Sequence, residues 1–490
     1  MRQFVRNLVS VMTARVRLCA HLDRCIQWRY RKWLFLSLGV IEMFLFSGFH
    51  YGYNALKGNF NKLGVFEEHC GDQNCTKKPM VDYAFNTWVN TQMLLISGTG
   101  FLMDKVGLRF VKILSVVLYS LGTFMFAFTN RSTSGLLFPA GMFVALGSVS
   151  SLICNHQISS MFPTVQGLVI AMLSGAYDSC SALTFIIARI SDTVPLQSSF
   201  IAIAVGSLLF GIPMGLFVMT QWATDMAEQP DHEVDGEDVE VAYGDIKLES
   251  NAEDKIDFVN VDVRIQRIVE KRFPTLKSCI ISLPFAAVAL WFMFGLFRLT
   301  YFFSQLVPIL FYAFPDDEST VYSLLTMSSF LFMAGFVVSP FTGSILVYSK
   351  AYYRRKIERA LIETNGSLSD SQVYWMYLRS MAPGLLLMAL SGILYSSLQL
   401  VKSKATFITT CILLSVYRSL LFSICINFVL IAFPLRNFGT VNGILNTIGG
   451  IFNALENALK QAPIFPGTII SIGISCVLLV TPLFLFCKRR

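Results

Sequence analysis

The run Gly100-Phe101-Leu102-Met103-Asp104-Lys105-Val106-Gly107-Leu108-Arg109 sets an acid, two bases and two glycines at fixed spacing directly after an apolar stretch. Gly107 permits a left-handed or crowded turn there. Asp104 can then meet helix-terminal N–H groups and basic side chains in one packing arrangement and release them in another. Five more ionisable residues, Glu42, Asp178, Arg298, Arg418 and Glu456, fall inside long apolar runs. A charge at hydrocarbon depth costs on the order of 2.5–3.5 kcal/mol, so each needs a partner or a cavity. A zwitterionic solute needs donors for its carboxylate and acceptors for its amine. Arg298 and Arg418 suit the first need by bidentate contact, and Asp178 or the side-chain carbonyl of Asn427 suits the second. Tyr51, Tyr177, Tyr301 and Phe302 can line an apolar pocket. The competing reading pairs Arg298 or Arg418 permanently with Asp178 or Glu456 as a bridge between helices.

Elements that hold such residues must lie in lipid. Of 490 residues, 54% are hydrophobic and 14% charged, against about 25% charged in soluble domains. Apolar runs long enough to cross about 30 Å of hydrocarbon occupy 33–53, 83–103, 108–128, 135–157, 166–188 and 198–220, then 279–303, 319–347, 380–401, 405–432, 440–459 and 466–487. Continuous runs of this length mean helices rather than barrel strands. With the amino terminus inside, 28 of the 39 Lys/Arg fall on inner segments and 8 in outer loops, as the positive-inside rule expects. The predicted fold is an all-α membrane protein of twelve transmembrane helices in two six-helix pseudo-repeats, with both termini cytoplasmic.

The expected organisation is a basic cytoplasmic arm over 1–32, a first bundle over 33–220, an acidic linker over 221–278 with a basic amphipathic end, a second bundle over 279–487 and a basic tail over 488–490. The arm carries eight Lys/Arg and also suits an organellar targeting segment, whereas the positive-inside rule favours a cytoplasmic arm. Residues 223–260 hold thirteen Asp/Glu and two Lys, a composition that cannot bury enough surface to fold. Residues 263–277 are expected to lie at the inner membrane surface. The halves echo each other: Phe162-Pro163 precedes Gln166-Gly167, and Phe433-Pro434 precedes Phe438-Gly439, a tight inner turn in both places.

Two glycosylation-type triplets, at Asn74 and Asn130, map to the outer side, and a third, at Asn365, maps to the inner side and is expected to stay unmodified. Cys70 and Cys75 flank the first triplet and either form a disulfide or remain unpaired. Arg189 and Asp192 read as rim charges. His50 and His156 stand near helix ends, where a hydrogen-bonded role or a proton relay are both open. Gly48-x-x-x-Gly52 and Gly439-x-x-x-Gly443 allow close helix approach.

The Gly100–Arg109 run resembles the signature loop of the major facilitator superfamily, which implies a gating role for Gly100, Asp104, Lys105, Gly107 and Arg109. The equivalent place in the second half, Gly343-Ser344-Ile345-Leu346-Val347-Tyr348, has Val347 where the aspartate would stand. More of the chain is similar to the large neutral amino acid facilitators of solute carrier family 43. The similar stretches are Phe46 to Leu56, Gly175-Ala176-Tyr177-Asp178-Ser179, Leu296-Phe297-Arg298, Arg418-Ser419 to Phe433-Pro434, and Asn437-Phe438-Gly439-Thr440.

The resemblance implies facilitated diffusion of neutral amino acids by alternating access, with the site between two repeats. Proton coupling, motivated by Glu42, Asp178 and Glu456, and carriage of another small organic solute are alternatives. A non-transporting nutrient sensor, using the acidic linker or the basic 350–359 segment as its partner site, is a third reading. The sequence contains no phosphate-cradling loop, nucleophile triad or metal-ligand spacing, so no enzyme activity, cofactor or metal is expected. The expected partners are a small-molecule substrate, an amino acid, and the lipid bilayer; neither nucleic acid nor an obligate protein partner is implied. The outer-side triplets favour the plasma membrane, and the basic arm keeps an organellar membrane open.

Overall fold

The computed structural model describes residues 31–67, 77–222, 225–226, 261–364 and 367–488. Residues 1–30, most of the acidic run, and the positions of Cys70, Asn74, Cys75 and Asn365 lie outside them. Among the described residues the secondary structure is helical throughout, with no strand. Before the acidic run stand α1 (Arg31–Leu45), α2 (Tyr53–Lys62), α3 (Lys77–Val106), α4 (Leu108–Ala127), α5 (Leu137–His156), α6 (Gln166–Ser179), α7 (Ser181–Ile190) and α8 (Leu196–Pro213). After it stand α9 (Val261–Arg272), α10 (Leu276–Ile280), α11 (Leu283–Ala313), α12 (Glu318–Met333), α13 (Gly335–Glu363), α14 (Asp370–Leu378), α15 (Ala382–Leu398), α16 (Lys404–Ala432), α17 (Phe438–Asn453), α18 (Glu456–Leu459), α19 (Ile464–Val477) and α20 (Val480–Cys487).

Local chemistry sets where these helices start. Ser282 accepts the backbone N–H of Phe285 at 3.3 Å and Pro284 follows it, opening a helix of 31 residues. At about 1.5 Å per residue α11 outspans the hydrocarbon core. Thr275 with Ser278, and Ser369 with Gln372, form capping boxes that start α10 and α14. Nine helical segments among the described residues are long and apolar enough to cross a membrane. This is an integral, multi-pass membrane protein.

Within each set of helices the packing is tight: α4 lies on α5 and α8, and α16 on α13 and α15. Two seams join the sets, α3 against α17 and α6 against α13 and α16. Small residues bring the backbones together there, since lipid supplies no hydrophobic drive between helices. A Cβ on Gly100 would lie 1.9 Å from the Gly439 carbonyl, one on Gly443 2.7 Å from Ser97 Cα, and one on Gly343 2.7 Å from Leu168 Cα.

Two expectations are corrected. The stretch 319–347 is not one helix: it breaks at Ala334 into α12 and α13, and α13 runs on to Glu363, so the basic 350–359 segment is helical. Gly343 to Tyr348 therefore lies inside α13 rather than in a loop, and Gly343 serves the α6 seam instead of a second turn. The amphipathic helix α9 buries Val261, Ile265, Ile268 and Val269 and packs on α13 and α14. Asp262 anchors it there, 2.8 Å from Arg354.

Candidate functional site

The signature loop divides its residues between the two helix sets. Gly107 has φ +119°, in the region that favours glycine, and a Cβ there would lie 2.7 Å from the Gln221 carbonyl. Leu108 donates its backbone N–H to that carbonyl at 2.8 Å, and Arg109 Nε donates to Met219 O at 3.0 Å. These contacts hold the loop to the segment that follows α8. Asp104 faces the other way: it accepts the backbone N–H of Gly439 at 3.0 Å and of Thr440 at 2.7 Å, at the first turn of α17. A carboxylate there meets both orphan N–H groups and the positive helix end. Lys105 stays exposed beside it, and Gly100 forms the close contact with Gly439.

Deeper along the second seam, Arg418 on α16 meets Asp178 on α6, Nη2 to Oδ1 2.6 Å, with side chains 13% and 7% exposed. Asp178 and Arg418 share a small void with Phe303, Gly335, Leu414 and Ser415. The Arg418 guanidinium lies 5.8 Å from the Phe303 ring. This pair joins an anion and a cation from opposite helix sets at one polar point. Hydroxyl groups line the seam beside it: Ser179 accepts the Phe336 N–H at 3.2 Å, and Ser339 and Thr342 contact Ser419.

The other sequence-predicted residues are not gathered at this point. Arg298 turns into the core of its own helix set, where Nε donates to Ser396 Oγ at 2.9 Å. Tyr177 meets Ser148 at 3.3 Å across α5 and α6. Tyr301 stacks on Phe297 and its hydroxyl faces Gly467 on α19. Phe302 packs edge-on against Tyr395. Asn427 donates to Ser423 O within α16 at 2.8 Å. The backbone of Tyr51 belongs to the short turn Gly48–Gly52, and its side chain lies outside the described residues. Glu456 pairs with Lys460 at 2.6 Å. His50 meets Gln92 and His156 meets Ser174, both buried. Asp192 pairs with Lys62 at the exposed rim. Asn130 is exposed, and its Oδ1 accepts from Ser132.

Sequence reasoning missed Lys112. Its ammonium is fully buried and lies 2.7 Å from both oxygens of Glu42, with Ser151 at 2.6 Å and Asn155 at 2.8 Å. Asn155 in turn donates to Glu42 at 2.9 Å. Lys112 stands within about two turns of the loop bases Lys105 and Arg109, so nothing in the local sequence separates it from those charges.

Comparison with known proteins bears on the fold and the family. The family model described as Major Facilitator Superfamily matches residues 83–455. The chain is 29% identical over 185 residues to "Equilibrative nucleobase transporter 1" of Bos taurus, covering 35% of this chain and 38% of that one. It is 22% identical over 385 residues to "Amino acid transporter 6-1" of Toxoplasma gondii, covering 75% of this chain and 59% of that one. The chain thus spans less than two thirds of either relative. Two crystal structures share its fold: the human organic anion transporter MFSD10 (TETRAN), TM-score 0.53, 14% identity, 94% of this chain and 100% of that one; and a double-tryptophan variant of XylE, TM-score 0.56, 10% identity, 93% and 94%. With a family model spanning most of its length and a helical fold shared with these carriers, the chain belongs to the Major Facilitator Superfamily of membrane transporters.

Proposed function

We propose that the protein carries neutral amino acids by facilitated diffusion, working by alternating access in the manner of the solute carrier family 43 facilitators. The observation that carries this reading is the Asp178–Arg418 pair at 2.6 Å, one partner from each helix set. A zwitterion complements such a pair: its carboxylate replaces Asp178 on the guanidinium, and its ammonium replaces Arg418 on the carboxylate. Binding then exchanges one set of charge contacts for another, and a substrate shifts the balance of states only through such differential contacts.

In this reading the nine apolar spans are joined by α3, by α12 with α13, and by α17 to make twelve crossings. Those three helical spans line the seams, and their greater polarity follows from facing protein rather than lipid. The bundles are 33–220 and 279–487, the acidic segment 221–278 links them, both termini are cytoplasmic, and Asn130 faces outward as a glycosylation site at the plasma membrane. The Asp104 contact with α17 acts as the latch on the inner gate. Glu42 is held by Lys112, which favours uniport over proton coupling through that residue.

A second reading is favoured by one observation, the 29% identity over 185 residues with a nucleobase transporter. A nucleobase edge also offers a donor and an acceptor to bridge a carboxylate and a guanidinium. Competition of a solute panel against labelled leucine in reconstituted vesicles separates the two. Neutral amino acids are expected to compete and adenine or guanine not. The reverse order would replace the amino acid reading, and a response of leucine accumulation to an imposed pH gradient would restore proton coupling.

A further inference from the structure

Among the described residues two Lys/Arg side chains are fully buried, Lys112 and Arg298, each 0% exposed. Lys112 has Glu42. Arg298 has no carboxylate partner among the described residues. The other buried carboxylates are already engaged, Asp178 by Arg418 and Glu456 by Lys460.

Arg298 uses one of its five donors on Ser396 Oγ at 2.9 Å, and its Cζ stands 4.5 Å from the centroid of the Tyr395 ring. Nη1 and Nη2 meet no acceptor among the described residues. The nearby hydroxyls aim their protons at backbone carbonyls: Ser396 Oγ donates to Gly392 O, and Tyr417 donates to Gly295 O. Two more orphaned groups in these helices, the Tyr395 hydroxyl and Trp291 Nε1, are also donors. Trp291 stands two turns before Arg298 on the same face of α11.

A guanidinium cannot shed its proton. Burying it is costly, and contact with a tyrosine face returns only part of that cost. A core with a fixed positive charge, surplus donors and, among the described residues, no carboxylate to match has the chemistry of an anion site.

We propose that Arg298, with Tyr395 beside it, forms a subsite for a monovalent anion in the core of α11, α15 and α16, separate from the Asp178–Arg418 pair. One cation matches one negative charge, as Glu42 does for Lys112. The anion is either free chloride or the carboxylate of a solute molecule bound apart from the Asp178–Arg418 pair, and the latter case alone rests on the amino acid reading.

Thermal melting of the purified full-length protein in lipid nanodiscs tests this. Ionic strength is held constant while chloride replaces gluconate, which is too bulky for a helix core; leucine is titrated separately in gluconate. A saturable rise of about 2–4 °C is expected in the native protein, lost in Arg298→Gln. A chloride response assigns the free anion, and a leucine response without a chloride response assigns the carboxylate. Native melting indifferent to both, or responses to both that Arg298→Gln retains in full, overturns the proposal. Should Arg298→Gln not fold, bromide exchanged into native crystals gives an independent readout. Anomalous density against the guanidinium supports the site, and its absence there, with leucine also without effect on melting, overturns it.

Discussion

The carboxylate of Asp104 on α3 accepts the backbone N–H of Gly439 on α17 at 3.0 Å, across the seam between helices that precede and follow the acidic segment. The acid is a side-chain cap supplied by one helix set to a helix of the other. Gly100 and Gly439 make the contact geometrically possible, because a Cβ on either would enter the other's backbone. A cap of this kind contributes about 0.5–2 kcal/mol, enough to bias two packing states and small enough to be broken in each cycle.

Asp104→Ala leaves two N–H groups of α17 without their acceptor and weakens the arrangement with the inner seam closed. Transport turnover is expected to fall while the Kd for substrate stays near the native value. Cysteine-labelling of inner seam positions should rise in the same variant. Native turnover together with native binding would remove the latch role.

Gly100→Ala acts on the same seam by volume rather than charge. Its Cβ would meet the Gly439 carbonyl at 1.9 Å, so the backbones must separate. Accessibility of the inner seam is expected to increase, as for Asp104→Ala, with transport reduced further because backbone cannot yield as a side chain can. Unchanged labelling would show that this packing is not one of the working states.

Arg418→Ala and Asp178→Ala each leave a charge largely buried without its partner, at a cost on the order of 3–5 kcal/mol. Both are expected to abolish uptake with surface expression retained, and Asp178→Asn combined with Arg418→Gln to restore stability without restoring uptake. Loss of surface expression in the single variants, recovered in the double, would instead make the pair a structural bridge.

Lys112→Met strands Glu42 in a fully buried position and is expected to lower the melting temperature sharply, with a cost of about 3–5 kcal/mol. Adding Glu42→Gln should recover much of that loss, because the interaction belongs to the pair. Equal melting of the single and double variants would show that Asn155 alone holds the Glu42 carboxylate well enough without Lys112.

The helices were legible because hydrocarbon imposes length and apolarity on every crossing, and the Gly100–Arg109 run was legible because turn, acid and base recur at a fixed spacing. Asp178 and Arg418 were both legible as charges at depth, but their union was not, since it joins α6 to α16 across the interface between helix sets. The partner of Glu42 was hidden for the opposite reason: Lys112 sits close in sequence to the loop bases, and only the packing of α1, α4 and α5 shows that it points inward. The extension of α13 to Glu363 escaped notice because a charged amphipathic helix has no hydrocarbon signature once it leaves the membrane. Its cover, α9, was recognised as amphipathic, but an apolar stripe does not reveal whether lipid or protein will bury it.

Exchange of leucine across reconstituted vesicles decides whether the protein carries leucine by alternating access. Vesicles preloaded with unlabelled leucine should take up labelled leucine faster than empty ones, because the loaded site returns across the seam as readily as it leaves, and Arg418→Ala should abolish both rates. Binding of leucine by the purified protein with no labelled leucine entering preloaded vesicles would contradict it.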